Sequence, residues 1–269
     1  MTQAPEAPAR TRAQISERTF RKDPWWRAPR ITATLLTIWV AYATVHVFTG
    51  HWYYVAKDHY LTPFFSPCIS GECVAGASSL GHWFPAVPPI IPYALVSLPF
   101  VLGFRLSCYY YYRRAYYRAF WRSPAACAVR EPHATYTGET RFPLIMQNLH
   151  RYFFYLVILI SILNTYDLAQ AFRGPDGNFG LGIGTLIMGV NVVLLWAYTL
   201  SCHSCRHITG GRLRNFSRHP VRYWAWTKIS WLNARHMQLA WVTLGTLMLT
   251  DLYILLVASG AFSDPRIFN

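Results

Sequence analysis

Five stretches of the chain lack the polar punctuation of a soluble domain: roughly 31–50, 88–112, 146–171, 181–203 and 232–258. About 20 helical residues cross the ~30 Å hydrocarbon core of a bilayer, and each stretch is long enough. The pattern predicts an all-α membrane protein of five transmembrane helices gathered in a bundle. Three regions follow: a segment over 1–29, partly disordered and ending in an interfacial anchor, the five-helix membrane domain over 30–260, and a short tail over 261–269. In the first of these, "MTQAPEAPARTRAQ" is rich in Ala and Pro, while Trp25 and Trp26 among arginines suit the level of the lipid headgroups. The first apolar run has no small-residue cleavage site behind it, so it is expected to remain as a helix.

Composition agrees with a membrane protein: 53% of the 269 residues are hydrophobic, 17% aromatic and only 13% charged. The charge changes the picture by where it falls. Seven Lys and Arg precede the first run (Arg10 to Arg30), six follow the second (Arg113 to Arg141) and seven follow the fourth (Arg206 to Arg235). The other connections and the tail hold only Lys57, Arg173 and Arg266. Cytoplasmic loops retain positive charge, so the N-terminus is expected in the cytoplasm and the C-terminus outside, in a multi-pass protein of the plasma membrane. The same placement accounts for the formal charge of +14 without nucleic acid. A basic face fixes topology, touches anionic membrane lipid or docks an acidic soluble partner, and the sequence does not separate these uses.

Soluble-enzyme motifs are missing. "GLGIG" at 180–184 lacks the preceding strand and later acid of a nucleotide loop, and is expected to ease the start and packing of the fourth helix. "YYYYRRAYYRAFW" at 109–121 is expected to carry the second helix out of the bilayer as an aromatic and basic belt. "CISGEC", with Cys68 and Cys73 on the outer side, predicts a small structural disulfide. No sequence repeat stands out, although Leu-Ser-Cys occurs at 106–108 and again at 200–202, each time near the cytoplasmic end of a helix.

Candidate chemistry gathers on that cytoplasmic level, in Cys108, His150, the "LSCHSCRH" of 200–207 and His236, contributed by four helices. Ionisable groups inside a membrane are costly and default to functional candidates. At about 100° per residue, Cys202 and Cys205 lie about 60° apart on a continuous helix, whereas His203 and His207 point away from that face. The cysteines are therefore expected to find partners on other helices, and His150 and His236 are the natural supply. The predicted metal ligands are Cys202, Cys205, His150 and His236, with Cys108 the first substitute and His207 the next. Two thiolates and two imidazoles suit a tetrahedral zinc site or a Rieske-type [2Fe–2S] cluster. A b-type haem held by His150 and His236 is the alternative, which leaves the cysteines unexplained.

The outer half carries a second polar set: His46, Asn164, Asp167 and Asp251. An intramembrane carboxylate near a histidine is proton-relay chemistry, so His46, Asp167 and Asp251 are candidates for a quinone and proton path. A different class, a membrane thiol–disulfide:quinone oxidoreductase, also uses Cys-x-x-Cys, but such an enzyme presents that motif to the oxidising side. A zinc-stapled scaffold would be colourless and indifferent to reductant.

Five helices, the N-terminus inside, metal ligands facing the cytoplasm and a polar site beyond them resemble the membrane anchor subunit of succinate dehydrogenase and fumarate reductase. The segments that carry the resemblance are "LSCHSCRH", "LHRYFFY" at 149–155 and "NARHMQLAW" at 233–241. The chain looks most similar to anchors that hold a membrane-embedded Rieske-type cluster. The resemblance implies a subunit that is not catalytic alone, flavoprotein and iron–sulfur subunits on the basic face, and electrons passing from succinate through them to quinone.

Overall fold

The structure is a computed structural model that describes residues 24, 27–74, 88, 90–108, 140–141, 145–174, 176–211 and 213–268. Four long apolar helices dominate it: α1 (Arg27–Thr49), α4 (Ile145–Gln170), α5 (Ile183–Leu200) and α8 (His236–Ala258). Within them lie four spans long and apolar enough to cross a membrane, Arg30–Thr49, Asn148–Gln170, Ile183–Leu200 and His236–Ala258. Their outward faces carry Leu35, Val45, Leu159, Val193 and Leu249, each more than half exposed. Exposed apolar rows on helices whose backbone bonds are satisfied internally suit lipid.

The second predicted span differs. Over the described part of 88–112 the chain forms a 3-10 turn (Tyr93–Val96) and then α3 (Leu98–Ser107), a helix of 10 residues. Pro88 and Pro92 explain the late start, because each removes a backbone donor and only the first turn of a helix tolerates that loss. Pro99 occupies that first turn. The aromatic and basic belt, the N-terminal segment and the tryptophan pair lie outside the described residues.

The helices pack as two hairpins, α3 against α4 and α5 against α8, with α4 and α5 joining them. Where α3 meets α4, Gly103 lets the Phe153 ring lie against the backbone; a Cβ there would collide with it. Phe104, Phe154, Val157, Tyr198, Leu244 and Leu247 fill the shared core. The basic connection after α5 is helical: α6 (His203–Gly210) and α7 (Pro220–Asn233) follow in turn. Trp224 and Trp231 are exposed on α7.

Two small sheets close the opposite end. β1 (Tyr54–Val55) pairs with β2 (Tyr60–Leu61), and β3 (Leu181–Gly182) pairs with β4 (Arg266–Phe268), so part of the predicted tail is a strand. Between these sheets a short helix, α2 (Gly71–Val74), carries Cys73, which is disulfide-bonded to Cys68 as the spacing predicted. The buried carboxylate of Asp264 ties the end together. It accepts from Tyr60 at 2.8 Å, Tyr253 at 2.6 Å and the Gly184 amide at 2.8 Å, the last at the start of α5. Arg266 pairs with Asp58 at 2.9 Å. Burial pushes the Asp58 carboxyl up, and the Arg266 charge opposes that shift.

Candidate functional site

The helical face that was to align Cys202 with Cys205 is broken. α5 ends at Leu200, Cys202 is extended at φ −65° and ψ 144°, and its sulfur caps α6 by accepting from the Ser204 amide. The fraying has a local cause: Ser201 turns its hydroxyl back to the Tyr198 carbonyl at 2.6 Å, competing with the helical ladder. Cys202 and Cys205 therefore sit on either side of a kink, and the spacing argument that grouped them loses its premise.

Two buried pairs form at this end. His150, at the start of α4, places Nε2 3.0 Å from Cys202 Sγ. His236, at the start of α8, places Nε2 3.4 Å from Cys108 Sγ, just past the end of α3. The other ring nitrogen of each histidine meets a serine: His150 Nδ1 lies 2.9 Å from Ser107 Oγ, and His236 Nδ1 lies 2.6 Å from Ser201 Oγ. An aromatic ring one turn earlier stacks on each imidazole, Phe104 on His150 with centroids 4.6 Å apart and Tyr198 on His236 at 5.0 Å.

The two halves match residue for residue. "FRLSC" at 104–108 and "YTLSC" at 198–202 each supply a stacking ring, an orienting serine and a cysteine. Each serine serves the histidine of its own hairpin, while each cysteine reaches the histidine of the other. The donor set thus comprises two sulfurs and two nitrogens on the ends of four helices, with His150 9%, His236 1%, Cys108 2% and Cys202 0% exposed.

Of the predicted ligands, Cys202 meets His150, and His236 meets Cys108, the first substitute, while among the described residues no three His, Cys, Asp or Glu gather as one metal site. Cys205 is buried in the same core but belongs to neither pair. Burial pushes its thiol up, which favours the inert protonated form. His203 and His207 are exposed, with His207 against Arg151 at 2.5 Å. His203 also lines a cavity at this end, and partial desolvation there, then the Arg206 charge, push it down.

That cavity, of about 810 Å³, leads from Cys108, His150 and His236 to Arg151, Arg206 and Trp226, and among the described residues no carboxylate lines it. Arg206 stacks over Trp226 at 5.0 Å and donates to Ser230 at 2.9 Å. A further cation, Arg105, is buried beside the pairs. It donates to the Ala240 carbonyl and to Thr243, both at 3.1 Å, and lies 4.9 Å from the Tyr198 ring centre.

At the other end, His46 and Asp251 meet as expected: Nδ1 to Oδ2 is 2.7 Å, and Tyr42 donates to the same oxygen at 2.6 Å. Asp251 is fully buried, and its Oδ1 has no hydrogen-bond partner among the described residues. Asp167 takes a separate partner, accepting from Ser66 at 2.5 Å, and Asn164 donates to the same serine. Sequence reasoning missed Tyr42, because a tyrosine one turn before a histidine on an apolar helix reads as packing.

Fold and site together define a helical membrane subunit with paired buried thiols and imidazoles under a basic face. The chain belongs to the family described as actinobacterial succinate dehydrogenase subunit SdhC, which matches residues 27–260. It is therefore a membrane anchor of complex II and a subunit of the succinate dehydrogenase enzyme. A chain of the Mycobacterium smegmatis Sdh1 complex, solved in the apo form, is similar to it at 62% sequence identity and a TM-score of 0.87, covering 97% of this chain and 98% of that one. No curated protein matches the chain.

Proposed function

We propose that this anchor is an electron relay as well as an attachment: it holds a Rieske-type [2Fe–2S] group between Cys108, Cys202, His150 and His236 and passes electrons from succinate toward membrane quinone. The observation that carries the reading is the duplicated serine–histidine–cysteine arrangement. Two thiols and two imidazoles are the donor types of a Rieske-type group, in which the sulfurs hold one iron and the nitrogens the other; the contacts here pair each thiol with an imidazole, so a bound group would separate the members of each pair. The four donors fit that group better than haem. A b-type haem would be held by His150 and His236 alone and leave both thiols without a role, whereas here each Nε2 lies against a cysteine sulfur. When bound, such a group supplies one-electron transfer at a potential raised by its histidine ligands.

The chain's own residues do the rest. The helix ends bury the donors away from water, and the serines hold the imidazoles. The cavity lined by Arg151 and Arg206 lies on the face where the flavoprotein and iron–sulfur subunits of complex II would dock. That assignment puts the N-terminus in the cytoplasm and the C-terminus outside, in the plasma membrane, with the proline-interrupted region of α3 as a fifth span. Toward the opposite side, Asp251 is held by His46 and Tyr42 with one oxygen still able to accept, which suits proton delivery to quinone; Asp167 with Ser66 is a second candidate.

Iron analysis and low-temperature EPR of the reduced, purified complex test the reading. Cys108→Ser and Cys202→Ser should each abolish a rhombic signal of low average g and succinate-dependent quinone reduction. Cys205→Ser should leave both in place, with dye reduction by the partner subunits retained throughout. Signal loss in Cys205→Ser with retention in Cys108→Ser would reverse the ligand assignment, and zinc or haem without the signal would end it.

A further inference from the structure

Ser107 and Ser201 stand in the same relation to the two histidines, and neither belongs to the donor set. A serine hydroxyl has one proton to give. Ser107 gives its proton to the Gly103 carbonyl at 2.6 Å, and Ser201 gives its own to the Tyr198 carbonyl at 2.6 Å. With that proton engaged, each serine oxygen can only accept from the nearby ring nitrogen. Nδ1 therefore carries the hydrogen in both histidines. Nε2 carries the lone pair, on the side where Cys202 Sγ lies 3.0 Å away and Cys108 Sγ 3.4 Å away.

We infer that Ser107 and Ser201 are matched positioning residues that fix the tautomer and direction of His150 and His236, so that Nε2 is the nitrogen each presents to a bound metal group. The role, though not the tautomer, rests on the relay reading. A neutral buried imidazole has two tautomers and two ring orientations. The stacked Phe104 and Tyr198 rings, nearly parallel to the imidazoles at 10° and 13°, restrict the ring plane but do not choose between its nitrogens. The serine makes that choice, because only one nitrogen can reach an acceptor while the other meets a thiol. The same construction appears in both hairpins with its parts in the same order along the chain, so the rule is built twice. It also couples the hairpins: Ser107 orients the histidine that meets Cys202, and Ser201 orients the one that meets Cys108.

The role explains why these serines would be worth more than their hydrogen bonds. Outer partners that orient a ligating histidine typically govern 10–100-fold in metal affinity. Ser107→Ala and Ser201→Ala should each weaken iron retention against a chelator by about that factor, and to a similar extent in both variants. Ser→Thr at either position keeps the hydroxyl and should restore retention.

The deciding measurement needs no variant at the serines. Complex grown with histidine labelled with ¹⁵N at Nδ1 or at Nε2 is compared by the nitrogen hyperfine coupling of its reduced centre. Strong coupling from Nε2 alone is expected. Strong coupling from Nδ1 would overturn the serine assignment and leave the relay reading standing. If no nitrogen-coupled centre is found, the relay reading fails by itself. ¹⁵N solid-state spectra of the full iron-free chain in lipid, differenced against His150→Gln and His236→Gln, then decide the tautomer: protonated Nδ1 supports it and protonated Nε2 overturns it.

Discussion

Arg105 gives the relay reading a quantitative test. It is 3% exposed and lies three residues before Cys108. The 4.9 Å step from its guanidinium carbon to Tyr198 and the 5.0 Å step from Tyr198 to His236 together place its charge within ~10 Å of that imidazole. A guanidinium stays protonated in a protein. One unit charge at ~10 Å, in an effective dielectric of about 20, favours an added electron by about 1.7 kcal/mol. For a one-electron couple that is about 70 mV, on the scale where tenfold is 59 mV. Arg105→Gln retains amide donors for Ala240 and Thr243 and removes the charge, so the potential should fall by about 70 mV. Arg105→Lys keeps the charge and should hold the potential near wild type. The assay is an EPR-monitored redox titration of the purified complex. A glutamine variant with an intact centre and an unshifted potential would refute the electrostatic argument. A lysine variant that falls as far as glutamine would show that geometry, rather than charge, sets the value.

Asp251→Asn should lower succinate-dependent quinone reduction by 10²-fold or so, the low end of a positioned proton donor's contribution, and leave the EPR signal unchanged; an unaltered rate removes Asp251 from the proton path. Asp264→Ala removes the acceptor of the Tyr60 and Tyr253 hydroxyls and of the Gly184 amide at the end away from the cavity; Tyr60 keeps Thr185, and the other two bonds, at ~1.5 kcal/mol each, should cost about 3 kcal/mol. The thermal midpoint of the chain should drop by about 6–12 °C with the centre's spectrum intact. Replacing both Cys68 and Cys73 by serine should cost about 2 kcal/mol, the loop-closure value for so short a ring, read as a lower thermal midpoint that reductant no longer changes.

Hydropathy read the long helices well because lipid imposes a length and an apolar surface on each: α1, α4, α5 and α8 fall within or close to the runs expected of them. Within the described part of 88–112 the helix is shorter than the apolar run, for a reason hydropathy does not see. Proline counts as neither strongly polar nor charged, yet Pro88 and Pro92 lie ahead of a helix that starts only at Leu98, with Pro99 in its first turn. Hydropathy also passed over α6 and α7, since a basic, aromatic segment at a membrane surface has no apolar run to announce it. The disulfide was legible from spacing alone, and so was the meeting of His46 with Asp251, two groups at matching depth on apolar helices.

The candidate ligands were legible as residue types, and the contacts pair them differently from helical periodicity. Helical periodicity grouped Cys202 with Cys205 by assuming that the turn continued, and Ser201 breaks it. The information that would have corrected the grouping is in the sequence, in the two Leu-Ser-Cys occurrences. Extended two residues back, they become aromatic-x-Leu-Ser-Cys at 104–108 and 198–202, each at the end of one helix and followed by a histidine near the start of the next apolar helix. Two such units, placed side by side, set each cysteine against the histidine of the other and give two sulfur–nitrogen pairs without any single segment carrying a metal motif. A search for ligands close in sequence selects Cys202 and Cys205. A search for the unit that recurs selects Cys108 and Cys202, and it also finds the serines and rings that hold the histidines in place. Arg105 has Thr199 as its counterpart, so the matched halves differ by one charge, and the potential of a group held between them is where that difference would be measured.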